Sequence, residues 1–123
     1  MAERLSGKVI QNINSTFVGG GVAEILSRMV PLLEQLGVDA RWNVIKGSDE
    51  FFQVTKKFHN ALHGRQERIS AKDFELFLET TQKNLDEIEL YGDIIFVHDP
   101  QPAGLVTQKK ELGKKWIWRC HID

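Results

Sequence analysis

Asp93-Ile94-Ile95-Phe96-Val97-His98 is a compact apolar run, and Pro100 and Pro102 stop any continuation. It shows no polar alternation, it is rich in β-branched and aromatic residues, and it is too short for a buried helix. Such a run reads as a strand covered on both faces, the signature of a parallel sheet. Upstream, Phe51, Phe52, Thr55, Phe58 and Leu62 share one helical face that Gly64 closes. Phe74, Phe77, Leu78, Thr81 and Leu85 form a second, opened by a capping box of Ser70 and Asp73 with Asp in place of the usual Glu or Gln. Downstream, a helix is predicted over Ala103 to Leu112, ending at Gly113, and a last strand over Lys115 to Cys120.

Toward the N-terminus, Val38 to Ile45 alternates around Trp42 and predicts another strand, followed by Gly47-Ser48-Asp49 as an N-cap for the next helix. Val9-Ile10-Gln11-Asn12-Ile13-Asn14 predicts the first strand. Between these two strands, Val22, Ile25, Leu26, Met29, Leu32, Leu33 and Leu36 recur at helical spacing, and Gly37 is a natural C-cap. Pro31 removes a backbone donor inside that helix and predicts a kink or a break into two. The order is β-α-β-α-α-β-α-β. Strands alternating with helices imply right-handed crossovers, hence an α/β fold with a parallel sheet and helices on both faces.

Composition narrows the function classes. A chain of 123 residues suits one domain. With 41% hydrophobic and 27% charged residues it has the balance of a globular fold rather than a disordered tail. Lys plus Arg is 16 against 17 Asp plus Glu, so the chain lacks the basic excess of a nucleic-acid binder. Residues 49–68 hold four Lys/Arg and three Asp/Glu, and residues 70–93 hold seven Asp/Glu against two Lys/Arg, so no basic stripe extends along the helices. The lone cysteine, Cys120, excludes an intrachain disulfide and the multi-cysteine metal patterns. No apolar run approaches the ~20 residues of a membrane span and no signal-peptide core is present, so the expected address is the cytoplasm, without a membrane partner.

In open parallel sheets ligands bind beyond the C-terminal strand ends. Here those ends carry Asn14-Ser15-Thr16, then Lys46-Gly47-Ser48, then His98-Asp99-Pro100-Gln101-Pro102, then His121-Ile122-Asp123. After the first strand, Gly19, Gly20 and Gly21 open a helix, where bare N–H groups attract phosphate or sugar oxygens. A tight strand-to-helix turn is the plain structural alternative. The dinucleotide fingerprint needs glycine at position 24, which is Glu24, and the phosphate-loop pattern is absent. His98 with Asp99 places an imidazole and a carboxylate at the sheet rim, suited to holding hydroxyls or orienting a leaving group. A surface turn punctuated by prolines is the alternative there. His59 and His63 have a spacing that can chelate zinc, but Asn60 excludes the His-Glu-x-x-His motif, and no metal is expected.

Several stretches together, Phe17-Val18-Gly19-Gly20-Gly21-Val22-Ala23-Glu24, Leu36 to Trp42, Phe51 to Asn60, His98 to Pro102 and Trp116 to Asp123, resemble the N-terminal domain of glycosyltransferring trehalose synthases and the related trehalose phosphorylases, retaining glycosyltransferases of family 4. The resemblance covers nearly the whole chain. It implies a Rossmann-like N-terminal domain of a two-domain GT-B enzyme that moves glucose between a nucleoside diphosphate and glucose, forming or splitting trehalose with retention and without a metal or other cofactor. In that pattern Gly19, Gly20 and Gly21 approach the donor phosphates, and His121 contacts the donor sugar near the reacting carbon. His98, Asp99 and Gln101 hold the acceptor glucose, and Lys56, His59 and Asn60 match a family block without an assigned role. His121, His98 and Asp99 are then the expected catalytic residues.

The same resemblance leads us to expect that residues 1–123 are an incomplete acceptor-side domain, that the nucleotide-sugar domain is missing, and that the fragment alone is inactive. Small-molecule sugars are the expected partners. Two other classes fit the residues: a stand-alone sugar- or nucleotide-binding α/β domain, or an interaction module whose open sheet edge pairs with another chain, for instance as a homodimer.

Overall fold

The computed structural model describes residues 2–108 and 113–121. A single turn, α1 (Ala2–Leu5), precedes β1 (Val9–Asn14), α2 (Gly21–Gln35), β2 (Asp39–Val44), α3 (Asp49–Leu62), α4 (Ala71–Glu87), β3 (Ile94–His98), a 3₁₀ segment (Ala103–Gln108) and β4 (Lys115–Arg119). The four strands form one parallel sheet in the order β2-β1-β3-β4. The chain steps from β1 outward to β2, then crosses back over β1 to β3. The direction of winding therefore reverses between β1 and β3, and the crevice beyond their C-terminal ends is where such a sheet takes a ligand.

Right-handed crossovers place α2 on one face and α3, α4 and the 3₁₀ segment on the other. On the second face Ile13, Ile45, Phe51, Ile95, Val97 and Leu105 are buried together, with Phe52, Phe77, Leu85 and Trp116 packed around them. The parallel register makes this possible, because Ile13 pairs with Val97 and Ile95 with Trp116, so their side chains emerge on one side. Phe51 is the hub. Its ring stacks on Phe77 at 5.9 Å and meets Phe52 edge-on at 5.2 Å. A Cβ on Gly47 would run into the Phe51 ring, so glycine there lets the loop after β2 close over the core. Ser48 caps α3 by accepting from Phe51 N at 3.1 Å, so the residue that starts the helix also aims its largest core ring.

The expected capping box is present: Ser70 Oγ accepts from Asp73 N at 3.1 Å and Asp73 Oδ2 accepts from Ser70 N at 3.0 Å. Two expectations are corrected, the break at Pro31 and the α-helix after β3. Helix α2 runs through Pro31 as one element, so the break into two helices does not occur. Pro31 and Ser27, whose carbonyl loses its donor, are both exposed, so water meets the open carbonyl and no break is required. The segment after β3 is a 3₁₀ helix over Ala103–Gln108 rather than an α-helix. It starts on the proline carbonyls, with Ala103 N donating to Pro100 O and Leu105 N to Pro102 O, each at 3.1 Å. Gly104 lies so close to α4 that a Cβ would strike Thr81. The remainder of that expected helix, 109–112, lies outside the described residues.

Phe51→Ala should lower the free energy of unfolding by about 3–5 kcal/mol, because it removes a fully buried ring at the centre of the packed face. Urea denaturation followed by circular dichroism measures it, and a loss under about 1 kcal/mol would contradict this placement of the core.

Candidate functional site

The site grows out of polar residues on the α2 face of the sheet. Asn12 of β1 is fully buried. Its Nδ2 donates to Arg41 O at 3.2 Å, and its Oδ1 lies 3.2 Å from His98 Nε2 at the end of β3. His98 Nδ1 in turn lies 2.9 Å from His121 Nε2, just past β4. The His98 ring lies flat against Phe96 at 4.3 Å and is only 2% exposed. Burial, with the nearby His121 and then Arg119 adding to it against the opposing pull of Asp99, lowers the His98 pKa to about 4.

Asp99 follows in a left-handed conformation, φ 67°, which Asp tolerates better than most residues. All of its backbone is in use. Asp99 N donates to Arg119 O at 2.8 Å, and Asp99 O accepts from Trp118 Nε1 at 2.9 Å. Its Oδ1 accepts from His121 N at 2.7 Å. The Asp99 turn therefore fastens the end of β4 to the end of β3 and fixes the backbone of His121.

Facing this corner is the start of α2. Gly19 and Gly20 have φ of 77° and 85°, a region closed to most side chains. Gly20 is the N-cap, and no side chain caps the helix, so its first N–H groups stay available to a ligand oxygen. Between the two lies an open cleft of about 480 Å³ lined by Gly21, Val22, Ile25, Asp99, Arg119, Cys120 and His121. Its wall combines an open helix N-terminus, a carboxylate, a guanidinium and an imidazole. That set suits a polyhydroxyl ligand carrying negative charge.

The structure thus brings together Gly21, Asp99 and His121 at the cleft, with Gly19 and Gly20 shaping its turn. His98 belongs to the same cluster but not to the cleft surface. It is buried, and its two ring nitrogens meet Asn12 and His121 rather than the open cleft. Gln101 is half-buried, and its Oε1 has no hydrogen-bond partner among the described residues. Lys56, His59 and Asn60 sit on α3 and none lines the cleft. Asn60 Nδ2 donates to Glu67 Oε1 at 2.9 Å, and His59 stacks on His63 at 5.1 Å. Among the described residues no three His, Cys, Asp or Glu side chains gather as metal ligands, and no helix is long and apolar enough to cross a membrane. Sequence reasoning missed Asn12. The available signal was the run Gln11-Asn12 with Asn14 inside a central strand, where polar side chains have to find partners within the protein.

A parallel sheet with its cleft at the point of reversal and an open helix N-terminus defines an α/β domain shaped to take a ligand beyond its strand ends. The family profile for the N-terminal domain of trehalose synthase matches residues 12–123, and the chain belongs to that family. The chain is 52% identical over 124 residues to trehalose synthases of Thermococcus litoralis and Pyrococcus furiosus, and 43% identical over 128 residues to that of Rubrobacter xylanophilus. A trehalose phosphorylase of Pleurotus pulmonarius is more distant, at 29% over 131 residues, or 89% of this chain and 17% of that protein. The alignments to the two archaeal synthases cover 99% of this chain but 30% of theirs, so the chain spans under a third of the length of these relatives.

The His98 environment sets a pH dependence. Above the ordinary histidine value of 6.5 the ring is neutral in both folded and unfolded chains. As pH falls from 6.5 to about 4 the unfolded chain takes up a proton that the folded one refuses, so stability drops across that window. His98→Gln lacks this titration. The stability advantage of the native protein over His98→Gln, measured by urea unfolding, should therefore shrink steadily on acidification from pH 7 to 4. A pH-independent difference would contradict it.

Proposed function

We propose that this chain is the acceptor-side, N-terminal part of a retaining glucosyltransferase that reversibly forms trehalose from a nucleoside diphosphate glucose and glucose. The observation that carries the reading is the meeting of Asp99, His121 and the open start of α2 at one cleft, in a chain whose relatives are named trehalose synthases. In this reading the N–H groups after Gly19, Gly20 and Gly21 and the positive charge of Arg119 face the diphosphate side. The imidazole or main-chain carbonyl of His121 stabilises positive charge developing at the sugar. The acceptor hydroxyl, oriented by Asp99 and with Gln101 nearby, attacks from the face that the diphosphate leaves, which retains the configuration. The reaction uses no metal.

A second, GT-B-type domain would supply the nucleotide site and the charges that hold the departing diphosphate. Without them the electrostatic stabilisation that dominates such a step is missing, and residues 1–123 alone are inactive. The alternatives of a free-standing binding domain or an interaction module gain no observation of their own.

Full-length protein incubated with ADP- or UDP-glucose and glucose should release trehalose, and residues 1–123 alone should release none. A folded full-length protein that makes no trehalose overturns the reading. In the full-length enzyme His121→Ala should lower kcat by about two orders of magnitude or more, and near-normal turnover would remove His121 from the chemistry.

A further inference from the structure

The tautomer of a histidine is set by the partners of its ring, and here those partners form an unbroken line into the core. The line starts at a fixed point. Arg41 O is a main-chain carbonyl and can only accept, so the Asn12 atom 3.2 Å from it is the amide nitrogen. The other terminus of Asn12 is then an oxygen acceptor, and it faces His98 Nε2 at 3.2 Å. His98 Nε2 therefore carries a hydrogen. A neutral imidazole carries only one, so His98 Nδ1 is a lone pair. His121 Nε2, 2.9 Å away, has to donate to it. Every link runs one way: His121 to His98, His98 to Asn12, Asn12 to Arg41.

We infer that Asn12 and His98 are positioning residues that hold His121 as its Nε2–H tautomer and leave Nδ1 as the nitrogen that meets a ligand. His121 Nδ1 makes no hydrogen bond among the described residues, and His121 lines the cleft. With Nε2 committed to His98, the Nδ1 lone pair is left as the acceptor that a ligand hydroxyl can meet in the cleft. The lowered pKa of His98 keeps the second ring neutral, as the line requires. The charged groups acting on His98 are Asp99, on the turn after β3, and Arg119, on β4.

The line rests on the hydrogen-bond geometry and a neutral His98, while its use in sugar transfer rests on the function proposed above. The test is therefore spectroscopic and independent of turnover. Nitrogen-15 spectra of the histidines in residues 1–123 at about pH 8.5, well above the ordinary histidine value, should show protonated Nε2 and unprotonated Nδ1 for both His98 and His121. Nδ1–H on either ring overturns the inference. His98→Gln supplies a donor toward Asn12 and an acceptor toward His121, and it should keep His121 as Nε2–H. A switch to Nδ1–H in that variant overturns it too. His98→Phe keeps the ring stack on Phe96 but removes the acceptor, and His121 should become a tautomer mixture. A pure Nε2–H form in folded His98→Phe would show that something else sets it. If His98→Phe does not fold, the native and His98→Gln spectra decide. In a full-length enzyme shown to make trehalose, His98→Gln should hold kcat within about threefold, whereas a folded His98→Phe should lower it by about tenfold or more with the KM for the nucleotide sugar little changed.

Discussion

Three amide side chains on the central strand organise this protein. Gln11, Asn12 and Asn14 lie on β1, which is flanked by β2 and β3, and all three are buried. A buried amide without partners costs roughly 1–3 kcal/mol, so each has to be met from elsewhere in the chain. Gln11 is met four times. Its Nε2 donates to Asn43 Oδ1 and Glu89 O at 2.9 Å, and its Oε1 accepts from Tyr91 N and Gly92 N at 3.1 Å. Those bonds lash the α4–β3 connection to the middle of the sheet. Asn14 accepts from Trp42 Nε1 at 2.7 Å and donates to Thr16 O at 2.8 Å, which ties β2 and the start of the glycine turn to the same strand. Asn12 reaches β2 on one side and His98 on the other. One strand therefore sets the loop before β3, the turn before α2 and the corner beyond β3.

The cleft is the outcome of those ties. Its floor comes from strand ends whose heights are set by parallel register, with His98 opposite Arg119, so that His121 arrives just beyond His98. Its wall comes from α2, whose glycine start has no capping side chain. The Asp99 turn closes the corner by spending its backbone and one carboxylate oxygen on β4. The loop after β2 is held apart from this by Asn84 of α4, which donates to Lys46 O and accepts from Lys46 N, both at 2.8 Å. That pairing keeps Lys46 on the α4 side, where its Nζ lies 3.5 Å from Glu87. Of the polar strand ends read from the sequence, Asp99 after β3 and His121 after β4 meet at the cleft opposite the start of α2, and the end of β2 does not reach it.

Much of the fold was legible because local signals agreed with one another. The apolar run ending at His98, the caps at Ser48 and Ser70 and the glycines at 37 and 64 each mark an element or its end, and each stands where expected. The misreadings share a cause. Pro31 signals a break only if the helix has nowhere to put the freed carbonyl, and exposure supplies water. The stretch after Pro102 has helical spacing, but close packing of Gly104 on Thr81 favours the tighter 3₁₀ form. Both depend on surroundings that no local window contains.

The candidate site divides in the same way. The residue types at the strand ends, the glycines and the family to which residues 12–123 belong are properties of the sequence by itself. So is the α/β class, because hydrophobic periodicity and turn residues are local and mutually reinforcing. The tertiary structure decided what each polar residue touches. His98, read from the sequence as a rim residue, is a buried link between Asn12 and His121. Asn12 looked like an ordinary strand residue and is the anchor of that link. Burial and hydrogen-bond direction are set by atoms far apart in the chain, here Asn12, Arg41, His98 and His121, and only folding brings them within reach of one another.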